Sequence, residues 1–236
     1  MEDPCASATG CWMLVFSPAK MKGLFITFEG TEGCGKSTQM KLLQERLLSA
    51  GHPNVLALRE PGGTSIGEEI RHTVKHSRTT APMSPETELL LMNASRAQLV
   101  RELIRPALDA GRIVLCDRFY DSSAAYQGYG RGLDLKFVRD VIEFAVGGTR
   151  PDLTVLLRAP PHVSADRLHA RRSRALTTPD RIENEDDLFF ERVAAGYEAI
   201  SAAEPERVRA VDATGEPNTV SAAIWNLVRP MLPTAP

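Results

Sequence analysis

Residues 24–37 read LFITFEGTEGCGKS, a short apolar run followed directly by a glycine-rich motif. The run at residues 24–28 predicts a buried β-strand. Residues 30–37 match the pattern G-x-x-x-x-G-K-[ST] of a phosphate-binding P-loop, and residues 36–49 then carry apolar side chains at helical spacing. A P-loop lies between a strand and a helix, so the motif in this place predicts an α/β nucleotide-binding domain.

The glycine-rich motif brings together the groups that bind a nucleoside triphosphate. Its glycines let backbone N–H groups turn toward phosphate oxygens, and the following helix adds the positive end of its dipole. Lys36, expected as an exposed side chain of the loop, can reach the β- and γ-phosphates, and the hydroxyl of Ser37 can bind Mg²⁺. The predicted ATP-binding residues are Gly30, Thr31, Glu32, Gly33, Cys34, Gly35, Lys36, Ser37 and Thr38.

Apolar runs and helical patterns alternate along the rest of the chain. The further runs that predict strands are at residues 55–58, 113–116, 153–157 and 209–211. The helical patterns after the P-loop helix are at residues 84–105, 137–146, 185–203 and 219–232. The first of these is expected to be capped by Ser84 and to end before Pro106. Alternation of apolar strands with helices predicts a parallel sheet that helices cover on both faces.

Two segments are expected to stand apart from the compact part of the chain: the first 20 residues and a lid. Residues 1–20 are predicted to be a disordered extension, with Met21 as the more natural beginning. Residues 21–236 are predicted to form a single domain with a lid at about residues 167–181. This lid segment holds five arginines and a Thr-Thr-Pro breaker. It fits a solvated basic helix end as well as a mobile cover that brings cations to a phosphate.

Composition excludes several classes of protein. The chain has 236 residues and a formal net charge of -2, so a generally basic surface for nucleic acid is excluded. No apolar stretch reaches the roughly 20 residues of a membrane helix, so no membrane is expected. The four cysteines form no C-x-x-C pair, which favours a reduced, cytoplasmic protein without a zinc cluster.

A carboxylate directly after the strand at residues 113–116 is a second candidate for the site. Asp117 would face the crevice at the carboxyl end of the sheet, where it could order Mg²⁺, although a helix cap or a salt bridge is the plainer interpretation. Two histidines, His72 and His76, lie four residues apart on a predicted helix, but without a third ligand they are expected to be solvated.

Three sequence features are absent, and their absence excludes several classes of P-loop protein. The chain has no Asn-Lys-x-Asp motif of GTPases, no LSGGQ-type signature of transporter ATPases, and no cysteines in its lid. A small kinase remains, because phosphoryl transfer to another phosphate needs positioning and cations more than a nucleophilic side chain. The cations available outside the P-loop are Arg59, Arg71, Arg96, Arg118 and the lid residues Arg167, Arg171, Arg172, Arg174 and Arg181.

Three further segments carry a specific pattern: FEG at residues 28–30, REPGGT at residues 59–64, and DRFYDSSAAYQG at residues 117–128, with Arg96 between the last two. Together with the P-loop they resemble bacterial thymidylate kinases, a family of P-loop nucleoside monophosphate kinases. The resemblance covers about residues 21–232. It implies a five-stranded parallel sheet flanked by helices, transfer of the γ-phosphoryl group of ATP to dTMP to give dTDP and ADP for dTTP synthesis, Mg²⁺ with ATP, and usually a homodimer.

The resemblance also implies roles for individual residues. Arg71 and Arg118 would hold the dTMP phosphate, Glu32 and Glu60 would lie near the acceptor and magnesium, and Tyr126 would pack under the deoxyribose. The implied dTMP-binding residues are Glu60, Arg71, Met92, Arg96, Arg118, Ser123, Tyr126 and Gln127. The implied catalytic residues are Lys36, Glu32, Arg118, Arg172 and Arg174, and the implied metal ligands are Ser37, Glu32 and Asp117. The segment Asp212-Ala213 is similar to the part of the family close to adenine.

Two positions differ from the residues that some members of this family carry. Gly33 stands where some family members carry a catalytic arginine in the P-loop, which implies the type that supplies it from the lid. Met92 stands where the family often has a phenylalanine that stacks on thymine, and a thioether can also pack against an aromatic face. The alternatives left open are a kinase for another nucleoside monophosphate or a deoxynucleoside, and a nucleotide-binding module without turnover.

Overall fold

A computed structural model describes residues 23–76, 82–175 and 180–232. Five strands form one parallel sheet in the order β2-β3-β1-β4-β5. Their bounds are β1 Leu24–Glu29, β2 Val55–Arg59, β3 Ile113–Asp117, β4 Leu153–Arg158 and β5 Val208–Asp212. The α/β fold class and the five parallel strands are therefore confirmed. The expected extension at residues 1–20 lies outside the described residues.

Alternate side chains of each central strand point to opposite faces of the sheet. In β1, Leu24, Ile26 and Phe28 belong to one buried cluster, whereas Phe25 belongs to another on the opposite face. Apolar side chains of the helices complete each cluster. The chain buries apolar surface on both faces, which explains why its strands read as continuous apolar runs.

One or more helices follow each strand along the chain. Their bounds are α1 Lys36–Ser49, α2 Ser65–His76, α3 Pro85–Leu99, α4 Arg105–Asp109, α5 Tyr120–Ser123, α6 Leu135–Val146, α7 Pro161–Ala175, α8 Asp187–Ala203 and α9 Pro217–Val228. The first face of the sheet is covered by α1 and α9, and the second by α3, α4 and α6. Among the described helices, none is both long and apolar enough to cross a membrane.

The helix that begins after Ser84 corrects one expectation. Ser84 caps it as predicted, because its Oγ accepts a hydrogen bond from Thr87 N at 3.2 Å. The helix does not end before Pro106, however. It widens to π geometry at Val100–Ile104 and continues as α4 to Asp109. The wider turn leaves room for the proline ring, which in a regular α-helix would collide with the carbonyl of the preceding turn.

One helical segment was not expected from the sequence. The segment after β3 folds as α5 and then as a π-type turn at Ala124–Gly130. In the predicted lid, residues 167–175 form the end of α7, which corresponds to the basic helix end expected as one of two alternatives. Residues 176–179 of the predicted lid lie outside the described part of the chain.

Candidate functional site

The P-loop and Asp117 meet where two neighbouring strands end. Phe28 of β1 is in register with Asp117 of β3. The hydroxyl of Ser37, at the start of α1, donates a hydrogen bond to Asp117 Oδ2 at 2.6 Å. A hydroxyl and a carboxylate side by side are oxygen ligands of the kind that Mg²⁺ prefers, with the remaining positions left to water and phosphate oxygens. The donor set at this end of the sheet therefore fits Mg²⁺.

Lys36 is buried rather than exposed, which corrects the expectation from its place in a loop. Only 7% of the residue is exposed to solvent. Its Nζ donates hydrogen bonds to the carbonyl oxygens of Gly30, at 3.1 Å, and Thr31, at 2.8 Å. The ammonium group therefore lies inside the curve of the P-loop, and the loop is shaped around it.

Gly33 is fixed by a close approach of α7. Its φ is +79°, a left-handed conformation that favours glycine. A Cβ at this position would lie 2.2 Å from the carbonyl oxygen of Ser164 in the first turn of α7. A larger residue in this place would have to displace either the loop or the helix.

Arg118 is the centre of the hydrogen-bond network at the end of β3. Among the described residues it is the one non-glycine residue with a positive φ, at 71°, a conformation that usually persists only at functional positions. Its Nη2 donates to Glu32 Oε1 at 2.9 Å and to Tyr126 Oη at 3.1 Å. Its Nη1 donates to Gly30 O at 3.0 Å. One guanidinium thus joins Tyr126 to the P-loop residues Gly30 and Glu32.

The carboxylate of Glu32 is ionised by its surroundings. Burial opposes the charge, but Arg118 and Lys36 outweigh burial and lower the pKa of Glu32. This carboxylate lies in the same crevice as Ser37 and Asp117. Its hydrogen-bond partner, however, is Arg118 and not the Ser37–Asp117 pair.

Glu29 lies beside Arg118. Its segment FEG was noted in the sequence, but no role in the site was predicted for it. Its side chain is fully buried. Oε2 accepts hydrogen bonds from Ser122 Oγ at 2.6 Å and from Tyr197 Oη at 2.8 Å, and it lies 3.9 Å from Arg118 Nη1. Burial and neighbouring Asp121 raise the pKa of Glu29. A signal was available, because a glutamate ends an otherwise apolar strand; nothing in the sequence pointed to Tyr197.

A second pocket opens beside the phosphate crevice and holds most of the predicted acceptor residues. Apolar and polar side chains line it together, as is usual in small-molecule sites. Four residues line both the pocket and the crevice, so the two spaces are continuous. These shared residues are Glu32, Glu60, Lys75 and Arg118.

Arg96 forms the buried end of this pocket. Its Nε donates to Glu60 Oε2 at 2.8 Å, and its Nη1 donates to Ser123 Oγ at 2.9 Å and to Asn93 Oδ1 at 2.7 Å. Its Nη2 donates to Phe119 O at 3.1 Å. Since a guanidinium has five N–H groups, one of them remains for a ligand.

Met92, Tyr126 and Gln127, three of the residues expected to bind dTMP, line the same pocket. Met92 lies one helical turn before Arg96 on α3. The ring of Tyr126 stands 5.0 Å from the Arg118 guanidinium, which holds the ring in place. The pocket therefore combines a thioether, an aromatic ring and polar groups, which suits a flat heterocycle on a sugar.

Three cationic side chains from β2 and α2 line the phosphate crevice, and each is bound to a partner. Arg71 donates from Nη1 to Pro61 O at 2.9 Å, so its guanidinium is anchored at the crevice wall. Arg59 is paired with Glu68 at 3.0 Å and also lines the crevice. Lys75, which was not identified from the sequence, lies between crevice and pocket and is paired with Asp180 at 2.7 Å. His72 and His76 both lie on α2, exposed, with ring centroids 5.8 Å apart.

The arginines of the predicted lid differ in their partners. Arg167 lines the phosphate crevice and donates to Ala213 O at 2.8 Å. Arg172 is paired with Glu183 at 2.8 Å. The side chains of Arg171 and Arg174 lie outside the described residues. The carbonyl partner of Arg167 belongs to the segment after β5, which lines a further small pocket beside Thr38 of the P-loop helix.

Taken together, these groups can hold two anionic ligands end to end. The P-loop lines the space for one phosphate chain, Arg118 and Arg71 border the space where a second phosphate would lie, and the acceptor pocket continues beyond it. Such an arrangement suits phosphoryl transfer between two phosphates, since it supplies alignment and positive charge.

Comparison with known proteins agrees with this chemistry. Residues 28–224 match the family described as thymidylate kinase. The thymidylate kinase of Synechococcus sp. (strain JA-2-3B'a(2-13)) is 48% identical over 212 residues, covering 90% of this chain and 97% of that protein. That of Desulforudis audaxviator (strain MP104C) is 47% identical over 216 residues, covering 92% and 95%. The crystal structure of thymidylate kinase from Ehrlichia chaffeensis aligns with a TM-score of 0.69 at 30% identity, covering 87% of this chain and 98% of that one.

Proposed function

The chain belongs to the thymidylate kinase family and transfers the γ-phosphoryl group of ATP to dTMP, and we propose that the crevice and pocket described above carry out this reaction. The observation that carries the proposal is the continuity of the two spaces. Glu32 and Arg118 border both the P-loop crevice and the acceptor pocket, so a donor and an acceptor phosphate would meet between them. The open alternatives, another kinase or a nucleotide-binding module, are not favoured.

On the donor side, the proposed ATP-binding residues are those of residues 30–38. Backbone N–H groups and Lys36 would hold the β- and γ-phosphates, and the pocket lined by Thr38 and Ala213 would receive the adenine. We assign Mg²⁺ to Ser37 and Asp117, with Glu32 nearby. When bound, the ion would neutralise charge on the phosphates of ATP.

On the acceptor side, Arg71 and Arg118 would bind the phosphate of dTMP. Arg96, with its one remaining N–H, and Ser123 and Gln127 would contact the base. Met92 would pack against the face of the ring. Tyr126 would lie under the deoxyribose, held there by its bond to Arg118.

The proposed transfer needs no side chain as a base. A phosphate monoester has a second pKa of about 6, so an acceptor oxygen already carries charge at neutral pH. The work of the protein is to align that oxygen with the γ-phosphorus and to offset the crowded negative charge. Lys36 and Arg118 would do so from the two sides, with Glu32 holding Arg118 in place. Arg172 and Arg174 are the proposed catalytic arginines of the lid, since the contact of Gly33 with α7 leaves no room for an arginine in the loop.

A homodimer and a cytoplasmic location are part of the same proposal. Two exposed phenylalanines stand on α6, and α6 packs against α3, which exposes Leu90. Such aromatic side chains on neighbouring helices fit an interface between two copies of the chain. The free and buried cysteines, Cys34 and Cys116, fit a reducing compartment.

Release of ADP from ATP with and without dTMP tests the proposed activity. We expect ADP and dTDP to form in equal amounts when both substrates are present, and ADP formation to be negligible with ATP alone. Binding of ATP without any dTDP would identify a nucleotide-binding module, and equal ADP release with and without dTMP would identify an ATPase.

A further inference from the structure

Glu88 is a buried carboxylate behind the acceptor pocket. It lies in the first turn of α3, where the positive end of the helix dipole favours a negative charge. Only 1% of the residue is exposed, and it does not itself line the pocket.

Every described side-chain partner of Glu88 donates a hydrogen bond to it. Gln127 Nε2 donates to Oε1 at 2.7 Å. Arg131 donates with two nitrogens, to Oε2 at 3.0 Å and to Oε1 at 3.2 Å, and Arg181 Nη2 donates to Oε2 at 2.5 Å. Burial opposes the charge, yet the bonds from Arg131, Gln127 and Arg181 outweigh burial and lower the pKa of Glu88. Glu88 is therefore an ionised carboxylate that can only accept hydrogen bonds.

This property decides which way the Gln127 side chain faces. A side-chain amide has a donating and an accepting end, and an acceptor-only partner binds the donating end. Gln127 must then keep its NH₂ group on Glu88 and present Oε1 elsewhere. Gln127 lines the acceptor pocket, and within the described part of the chain no group donates to its Oε1.

A carbonyl oxygen in this place selects among pyrimidine bases. Thymine and uracil carry an N–H donor at ring position 3, whereas cytosine carries an unprotonated nitrogen, which is an acceptor. We infer that Glu88 is a positioning residue that fixes the Gln127 amide so that the pocket accepts a base with an N–H donor and rejects cytosine. The inference rests on the proposed function, because it assumes that the base binds in this pocket.

The Glu88→Gln variant tests the inference, because a glutamine can offer either end of its amide to Gln127 and so permits Gln127 to turn. The readout is the ratio of kcat/KM for dTMP to kcat/KM for dCMP. In the parent, Gln127 Oε1 would face the unprotonated ring nitrogen of dCMP, and two acceptors cannot form a hydrogen bond. Glu88→Gln removes this mismatch, so we expect the ratio to fall roughly tenfold or more. The Glu88→Asp variant keeps an acceptor-only carboxylate, and we expect it to retain more of the preference than Glu88→Gln.

Arg131→Gln is the matched control. It removes partners of the same carboxylate but leaves the Gln127 contact, so it should lower stability while the dTMP-to-dCMP ratio stays within about twofold of the parent. An unchanged ratio in folded Glu88→Gln, or an equal fall in Arg131→Gln, would overturn the inference.

A measurement on the parent protein keeps the inference testable if Glu88→Gln does not fold. Hydrogen exchange of the Gln127 side-chain amide can be followed by NMR and assigned by its loss in Gln127→Met. We expect slower exchange than for Gln98, whose amide bonds Glu102 on the surface. An amide as fast as that of Gln98 would overturn the inference. Failure of the parent to phosphorylate dTMP would instead contradict the proposed function.

Discussion

At the scale of single residues, Lys36 is the most direct test of the donor site. It meets negative charge that develops during transfer, so we expect Lys36→Ala to lower kcat by about 100-fold or more. Because Lys36 also bonds Gly30 and Thr31, some loss of thermal stability is expected as well. Lys41→Ala on the exposed side of the same helix is the control, and it should leave kcat unchanged. A folded Lys36→Ala variant with the parent's kcat contradicts the P-loop assignment.

Glu60 should make stability depend on pH. Burial raises its pKa from 4.5 to about 7, even though Arg96 lies beside it. Between these two values the folded state keeps a proton that the unfolded state has released, so the free energy of unfolding falls as pH rises. Relative to Glu60→Gln, the parent should lose up to about 3 kcal/mol between pH 4.5 and pH 8.

Urea unfolding of both proteins across this pH range measures the effect. Glu29 is present in both proteins, so the difference between the two curves reports Glu60 together with its interaction with Glu29. Parallel curves for the two proteins would show that the pKa of Glu60 is not raised in the folded state.

The residues that could be predicted from the sequence share one property. Those in short motifs, such as Ser37, Asp117 and Arg118, are placed by the strand that precedes them, so their chemistry could be assigned in advance. The roles of Glu88 and Tyr197 could not, because they depend on contacts between segments far apart in the chain. Glu29 ends an apolar strand and could have been identified, but its contact with Tyr197 could not. The burial of Lys36 was missed for a related reason, since the P-loop closes over its own side chain.

At the scale of elements, the contact between the P-loop and α7 predicts the effect of a methyl group. Gly33 and Gly148 have nearly equal φ values, +79° and +81°, but a Cβ at Gly148 would meet nothing within 4 Å. Gly148→Ala should therefore cost only the backbone strain, about 1–2 kcal/mol. Gly33→Ala should cost more and should also lower kcat, because the loop or α7 must move away from Ser164.

Chemical unfolding and steady-state assays of the two variants decide the matter. Equal losses of stability, with full kcat for Gly33→Ala, would mean that α7 does not press on the loop. In that case the P-loop would also have room for an arginine at position 33.

Helices were harder to predict than strands at this scale. Each strand was found from its apolar run, and β1 to β4 extend one residue further, because ladder bonds continue past the apolar residues. The prediction ended the helix before Pro106. In the structure π geometry, which has no sequence signature of its own, accommodates the proline. The segment Tyr120–Ser123 and the turns after it are rich in serine and glycine, which predict loops.

At the scale of the whole molecule, the exposed side of α6 should control association. Phe144 is 84% exposed, which is unusual for a phenylalanine in a monomer. We expect the parent to have a mass near twice the 25.8 kDa of one chain, and Phe144→Asp to weaken association because it would bury a charge without a partner. Leu188→Asp on α8, where the side chain is 61% exposed, is the control.

Sedimentation equilibrium at several protein concentrations measures this mass. We expect a dimer for the parent and for Leu188→Asp. For Phe144→Asp we expect a concentration-dependent shift toward the monomer. A parent that sediments as a monomer, or a Phe144→Asp variant as dimeric as the parent, would remove α6 from the interface.

The central claim is that one continuous space holds ATP on the P-loop and dTMP in the pocket beyond Arg118. A crystal structure of the chain with dTMP and a non-hydrolysable ATP analogue tests it most directly. We expect the triphosphate on residues 30–38, the acceptor phosphate at Arg71 and Arg118, and the thymine between Met92 and Gln127 with Arg96 at its edge. Thymine bound outside this pocket, or an acceptor phosphate that does not point at the γ-phosphate, would contradict it.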